Sequence, residues 1–169
     1  EGYKYAQHWL AIRTLAEALP ADWHLVIKEH PSTFRNRFDP NVRDIQFYDA
    51  INALPNVTLA PLDLSPFQLI DRSIGVSTIT GTVGIEALIR GKPVIIFGVA
   101  QYRGAKGVYF VESIDDVRSV LHKHETGFEM PSDTELFEYL TWVDRNSFLK
   151  EDRINSSIEA FRTALTVEM

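Results

Sequence analysis

Short apolar runs alternate along this chain with stretches in helical spacing, and that alternation restricts the fold more than any other feature. The runs are HLVIK (24–28), NVTLA (56–60), Ile74 to Ser77, Val94 to Phe97 and Val108 to Val111. They are continuous rather than alternately polar, as a parallel sheet covered on both faces requires. Tyr5, Trp9, Ile12, Ala16 and Leu19 lie at helical spacing before the first run, and Pro20 ends that helix. A helix is expected from about Val42 to Leu54, between the first two runs. Ser65-Pro66-Phe67-Gln68 opens another, with Ser as cap, Pro in the first position and Gln closing a capping box. Val83 to Arg90 is a fourth helix, with Gly91 as its stop. Ser113 with Asp116, and Ser132 with Glu135, mark two further helix starts. The helices they open carry Val117, Val120 and Leu121, then Leu136, Leu140 and Val143. Ile154, Ile158, Phe161 and Leu165 form a last amphipathic helix. The expected fold is α/β, a Rossmann-like open parallel sheet with helices on both faces. With 169 residues and no linker or repeat, the chain reads as one domain, 1–169.

Composition narrows the partners. A net charge of −6 with no basic stripe argues against a nucleic-acid partner. No cysteine is present, so disulfides and thiolate-held metals are excluded. No apolar run reaches the ~20 residues of a membrane helix. The chain starts with Glu rather than Met, so it is expected to be excised from a longer protein.

Ligands of an open α/β sheet bind beyond the carboxyl ends of its strands. Two polar clusters fall there. One is Lys28-Glu29-His30-Pro31, after the first strand; the other runs from Thr78 to Thr82, after the third. Helix-start N–H groups, a glycine that admits close approach (Gly81) and the hydroxyls of Thr80 and Thr82 together have the chemistry of a phosphate cradle. A second reading is that Thr80 or Thr82 only caps the helix. Neither G-x-x-x-x-G-K-[ST] nor G-x-G-x-x-G is present, and Gly84 is expected to let the helix approach the sheet. Glu86 either answers the helix dipole or accepts two ribose hydroxyls. His30 is either structural or a donor to phosphate near neutral pH. Lys28 and Glu29 alternate in direction, so at most one of them shares the pocket. Arg103, in AQYRGAKG, is either a ligand-side cation or a solvated loop residue. His8 and His24 read as structural. His122 and His124 lie on an exposed helix end, and no metal site is expected there.

The segments KEHP, SPFQLI and STITGTVGIEALIRGKPVIIFG, in that order, resemble the C-terminal half of bacterial capsule polysaccharide biosynthesis proteins. That family includes retaining β-Kdo transferases. A more distant likeness is to sialyltransferases with a His-Pro motif. The resemblance covers about Leu25 to Gly104. It implies a GT-B glycosyltransferase whose C-terminal domain holds a nucleotide-sugar donor, most simply CMP-linked, without a metal or other cofactor. It also implies a second, N-terminal domain that holds the glycan acceptor. By the same resemblance His30 is the catalytic donor to the leaving phosphate, Thr80, Gly81 and Thr82 contact phosphate, and Glu86 meets the ribose; Thr78 is counted with them as a nucleotide-binding residue. After Phe97 the chain reads GVAQYRGAKGVYF, where many such transferases carry aromatic and Gly-Trp-Gly residues. Such an enzyme works in the cytoplasm, at the inner face of the membrane. This chain alone would bind nucleotide but turn nothing over. A UDP-sugar 2-epimerase, a CDP-glycerol polymer transferase and a non-catalytic nucleotide-binding module are the alternatives.

Overall fold

The computed structural model describes residues 8–34 and 43–146. In chain order the elements are α1 (His8–Ala18), β1 (Leu25–Ile27), a single 3-10 turn (Pro31–Phe34), α2 (Ile45–Asn52), β2 (Val57–Leu59), α3 (Pro66–Arg72), β3 (Val76–Thr78), α4 (Val83–Ile89), β4 (Val94–Ile96), β5 (Val108–Phe110), α5 (Ile114–Thr126) and α6 (Asp133–Asn146). All strand pairs are parallel. β1 pairs with β2, in the register Leu25 to Val57; β4 lies between β3 and β5, with Val94 opposite both Val76 and Val108. The architecture is the expected Rossmann-like α/β layering. Its hydrogen bonds fall into two ladders, of two and three strands, rather than one continuous ladder.

Strand β4 shows why its sequence is apolar without alternation. Val94 and Ile96 join a core with Ile85 and Leu88 of α4, Ile70 of α3 and Leu136 and Leu140 of α6. Ile95 points the other way, into a core with Ala11 and Leu15 of α1 and Val117 and Val120 of α5. Both faces are therefore dry. A third cluster joins Ala16 of α1, Ile51 of α2 and Val57 of β2, with Leu25 and Ile27 against it.

Helix ends follow local chemistry, with one correction at the start of α3 and another at a strand, β3. Gly91 has φ +66; its amide donates to the Leu88 carbonyl, and the Lys92 amide to the Ala87 carbonyl. This pair of bonds closes α4 in the manner that favours glycine after the helix. Ser132 and Glu135 form the reciprocal capping box, with the Ser132 amide 2.9 Å from the Glu135 carboxylate. Asp44 caps α2 by accepting from the Phe47 amide. Ser65 precedes Pro66 at the start of α3 as expected, but its hydroxyl makes no cap bond. The first turn is closed there by the Ser65 carbonyl, which accepts from the Leu69 amide. β3 starts two residues later than the apolar run suggests. Ile74 is exposed, and the first bond to β4 is Val76 amide to Pro93 carbonyl, 2.9 Å. Thr78 consequently ends a strand instead of opening a loop. Tyr5 and the 154–165 helix lie outside the described residues.

Candidate functional site

The turn after β3 is built on carbonyls that are already occupied. Thr78 and Ile79 accept from the amides of Phe97 and Gly98, at 3.1 and 2.9 Å, so the turn leaves the sheet from a fixed position. The chain then folds back on itself: the Gly81 amide donates to the Thr78 hydroxyl oxygen at 3.1 Å. A Cβ on Gly81 would lie 2.8 Å from that oxygen, so close approach, not a positive φ, is what glycine provides here. The Gly81 carbonyl accepts from the Tyr102 hydroxyl at 2.5 Å and from the Gly84 amide at 3.2 Å. The Thr82 carbonyl accepts from Ile85 and Glu86, which starts α4.

What remains is a set of donors. Thr82 stands at the N-cap of α4, yet its hydroxyl makes no cap bond, so the capping reading of this threonine does not describe the turn. Among the described residues, the amides of Thr80, Thr82 and Val83 and the hydroxyls of Thr80 and Thr82 donate to no protein group. Thr80 is exposed and Thr82 half-buried. Glu86 lies in the first turn of α4, half-buried on the same short helix. Gly84 corrects an expectation. Its missing side chain makes room for Tyr102, not for the sheet: a Cβ there would meet the Tyr102 hydroxyl at 2.3 Å. Burial, partly offset by the Gly84 amide, raises the Tyr102 hydroxyl above its ordinary pKa.

The loop after β1 divides its three polar residues. Glu29 is buried and paired with Arg43, and the Thr33 hydroxyl donates to its second oxygen at 3.4 Å. Burial lowers the Arg43 guanidinium from its usual value, but this group stays charged. Lys28 spends its ammonium on the carbonyls of Leu62, at 2.8 Å, and Glu29, at 3.3 Å, and so ties this loop to the one after β2. His30 is exposed, and its carbonyl accepts from the Thr33 amide. It follows β1, whereas the Thr78–Thr82 turn follows β3, and these strands belong to separate ladders. No hydrogen-bonded register therefore fixes one against the other.

The remaining candidates separate cleanly. Arg103 is exposed in the loop after β4, its side chain without a partner among the described residues. His24 bonds the Thr58 hydroxyl at 2.6 Å. His122 pairs with Glu125, and His124 packs edge-on against Trp23. No group of three or more His, Asp or Glu able to hold a metal occurs among the described residues, and no helix there is long and apolar enough to cross a membrane. A shallow hollow of about 160 Å³ lies at Gly104, Lys106, Glu135 and Tyr139. It borders the Arg103 loop and includes none of the turn's free donors, so its size says little about the polar site. Tyr102 is the residue that sequence reasoning missed. It sits in a loop of ordinary composition, and only its contact with a glycine eighteen residues earlier reveals it.

The family model for capsule polysaccharide biosynthesis proteins matches residues 6–126 of the chain. No curated protein and no solved structure matched the chain.

Proposed function

Because the chain belongs to the capsule polysaccharide biosynthesis protein family, we propose that it is the donor-binding domain of a surface-polysaccharide glycosyltransferase. Its donor is a nucleotide sugar, CMP-linked in the first instance and of the CMP-Kdo type. The observation that carries this reading is the turn after β3, which leaves amides and hydroxyls without acceptors on a backbone pinned by Phe97, Gly98 and Tyr102. Fixed donors of this kind suit phosphate oxygens. α4 has only seven residues, so these hydrogen bonds, more than a helix dipole, supply the attraction.

In this reading the bond between the sugar's anomeric carbon and the phosphate oxygen breaks, and negative charge collects on the departing nucleotide. The amides and hydroxyls of the turn meet that charge with donors already in place, which lowers the barrier without reorganisation. His30 adds a donor from the loop after β1, Glu86 accepts from the ribose, and Arg103 supplies an opposite charge. The acceptor glycan and the group that activates it belong to an N-terminal domain outside this chain. The chain alone binds nucleotide and does not transfer sugar. Thermal unfolding with CMP, CDP and UDP tests this. A stabilising shift with a preference among the bases, weakened by His30→Ala, supports the reading; no shift with any of the three contradicts it.

A further inference from the structure

Tyr102 is 2% exposed, and a hydroxyl so deeply placed needs a partner. It has one in the Gly81 carbonyl. Its ring fills the space left by Gly84, where an added Cβ would lie 2.7 Å from two ring carbons. Peptide planarity gives this contact a consequence. The carbonyl and N–H of a trans peptide point in opposite directions. Fixing the Gly81 carbonyl toward the buried tyrosine therefore turns the Thr82 amide away from it. The next residue along the loop is Arg103, and the backbone beyond it is also held: the Gly104 amide donates to the Tyr139 hydroxyl at 3.1 Å. The Ala105 amide, in turn, donates to the Tyr102 carbonyl.

We infer that Tyr102 is a positioning residue of the donor site: its hydroxyl holds the Thr78–Thr82 turn in the form that presents its free donors, and mounts the Arg103 loop on that turn. The inference rests on the phosphate reading proposed above. Without the hydroxyl, the Gly81 carbonyl keeps only the longer bond from the Gly84 amide, at 3.2 Å, and only part of the population keeps the presenting form. Apparent affinity then falls by that fraction.

Tyr102→Phe in the 169-residue chain tests it, with three readouts: thermal unfolding, amide hydrogen exchange by residue, and titration calorimetry with CMP, CDP and UDP. The expected result is faster exchange confined to Thr80–Glu86 and the 102–105 loop, with α5 unchanged, and nucleotide affinity about three- to tenfold weaker, as the loss of one ordinary hydrogen bond allows. Gly84→Ala displaces the ring while keeping the hydroxyl, and should reproduce the local exchange and the weaker binding. A uniform rise in exchange with unchanged affinity in both variants would make Tyr102 a core residue only and overturn the inference. Unmodified protein that binds none of the three nucleotides would overturn the donor reading instead, and the exchange comparison would still decide whether Tyr102 sets the turn.

Discussion

Glu29 and Arg43 form an ion pair whose side chains are only 7% and 17% exposed, between the loop that carries His30 and the start of α2. Removing one partner leaves a charge in a poorly solvated place, which costs far more than an exposed pair is worth. Glu29→Ala or Arg43→Ala should each destabilise the protein by about 3–5 kcal/mol. Replacing both together, Glu29→Leu with Arg43→Met, should recover most of that loss. Urea denaturation of the three variants reads the difference.

Gly84, within α4, and Gly91, just beyond its end, should respond differently to alanine. At Gly84 the new Cβ meets the Tyr102 hydroxyl at 2.3 Å, so overpacking of about 1–3 kcal/mol is expected. At Gly91 nothing lies within 4 Å, and the cost comes from φ +66 alone, about 1 kcal/mol. Thermal unfolding should show the larger drop for Gly84→Ala; equal drops would mean that the tyrosine yields freely.

Thr78→Val removes the acceptor for the Gly81 amide while keeping the shape of the side chain. The loss should be about 0.5–1.5 kcal/mol in stability, since the amide sits in a half-buried turn. Thr78→Ser should restore both the bond and the stability.

Acid should release the tie between α6 and the loop before β5. The Glu135 carboxyl, hydrogen-bonded to Lys106 and Ser132, is held down at about 2 against 4.5 for the free group. A carboxyl with a lowered folded-state pKa adds stability above its unfolded value and loses it as pH falls toward the folded one. The difference in stability between the parent and Glu135→Gln should therefore be full at pH 6 and fade between about 4.5 and about 2. Both side chains are solvent-exposed, so added salt should shrink the difference at every pH.

Periodicity and breakers made the layers legible. The run Val94 to Phe97, apolar at every position, announced a strand with two covered faces, and the glycine at 91 announced the end of α4, where the structure gives it φ +66. The division into two ladders left no mark in the sequence, because pairing between β1 and β3 depends on how distant segments meet. Within the site, local motifs located the turn but not the fate of its groups. The Thr78 hydroxyl oxygen accepts from the Gly81 amide, a bond that no motif announced, and Lys28 is held by two carbonyls. The Lys28 and Tyr102 contacts depend on groups remote in the chain, the Leu62 carbonyl for the first and Gly84 for the second. The capping box at Ser132 was fully readable, since both of its bonds lie within four residues.

Residue-resolved NMR titration with CMP, CDP and UDP addresses the central claim most directly. A phosphate seated on the turn after β3 predicts that the largest amide shifts fall at Thr80 to Val83, with accompanying changes at His30 and Arg103. Shifts confined to the hollow at Lys106 and Tyr139, or none at saturating nucleotide, would contradict it.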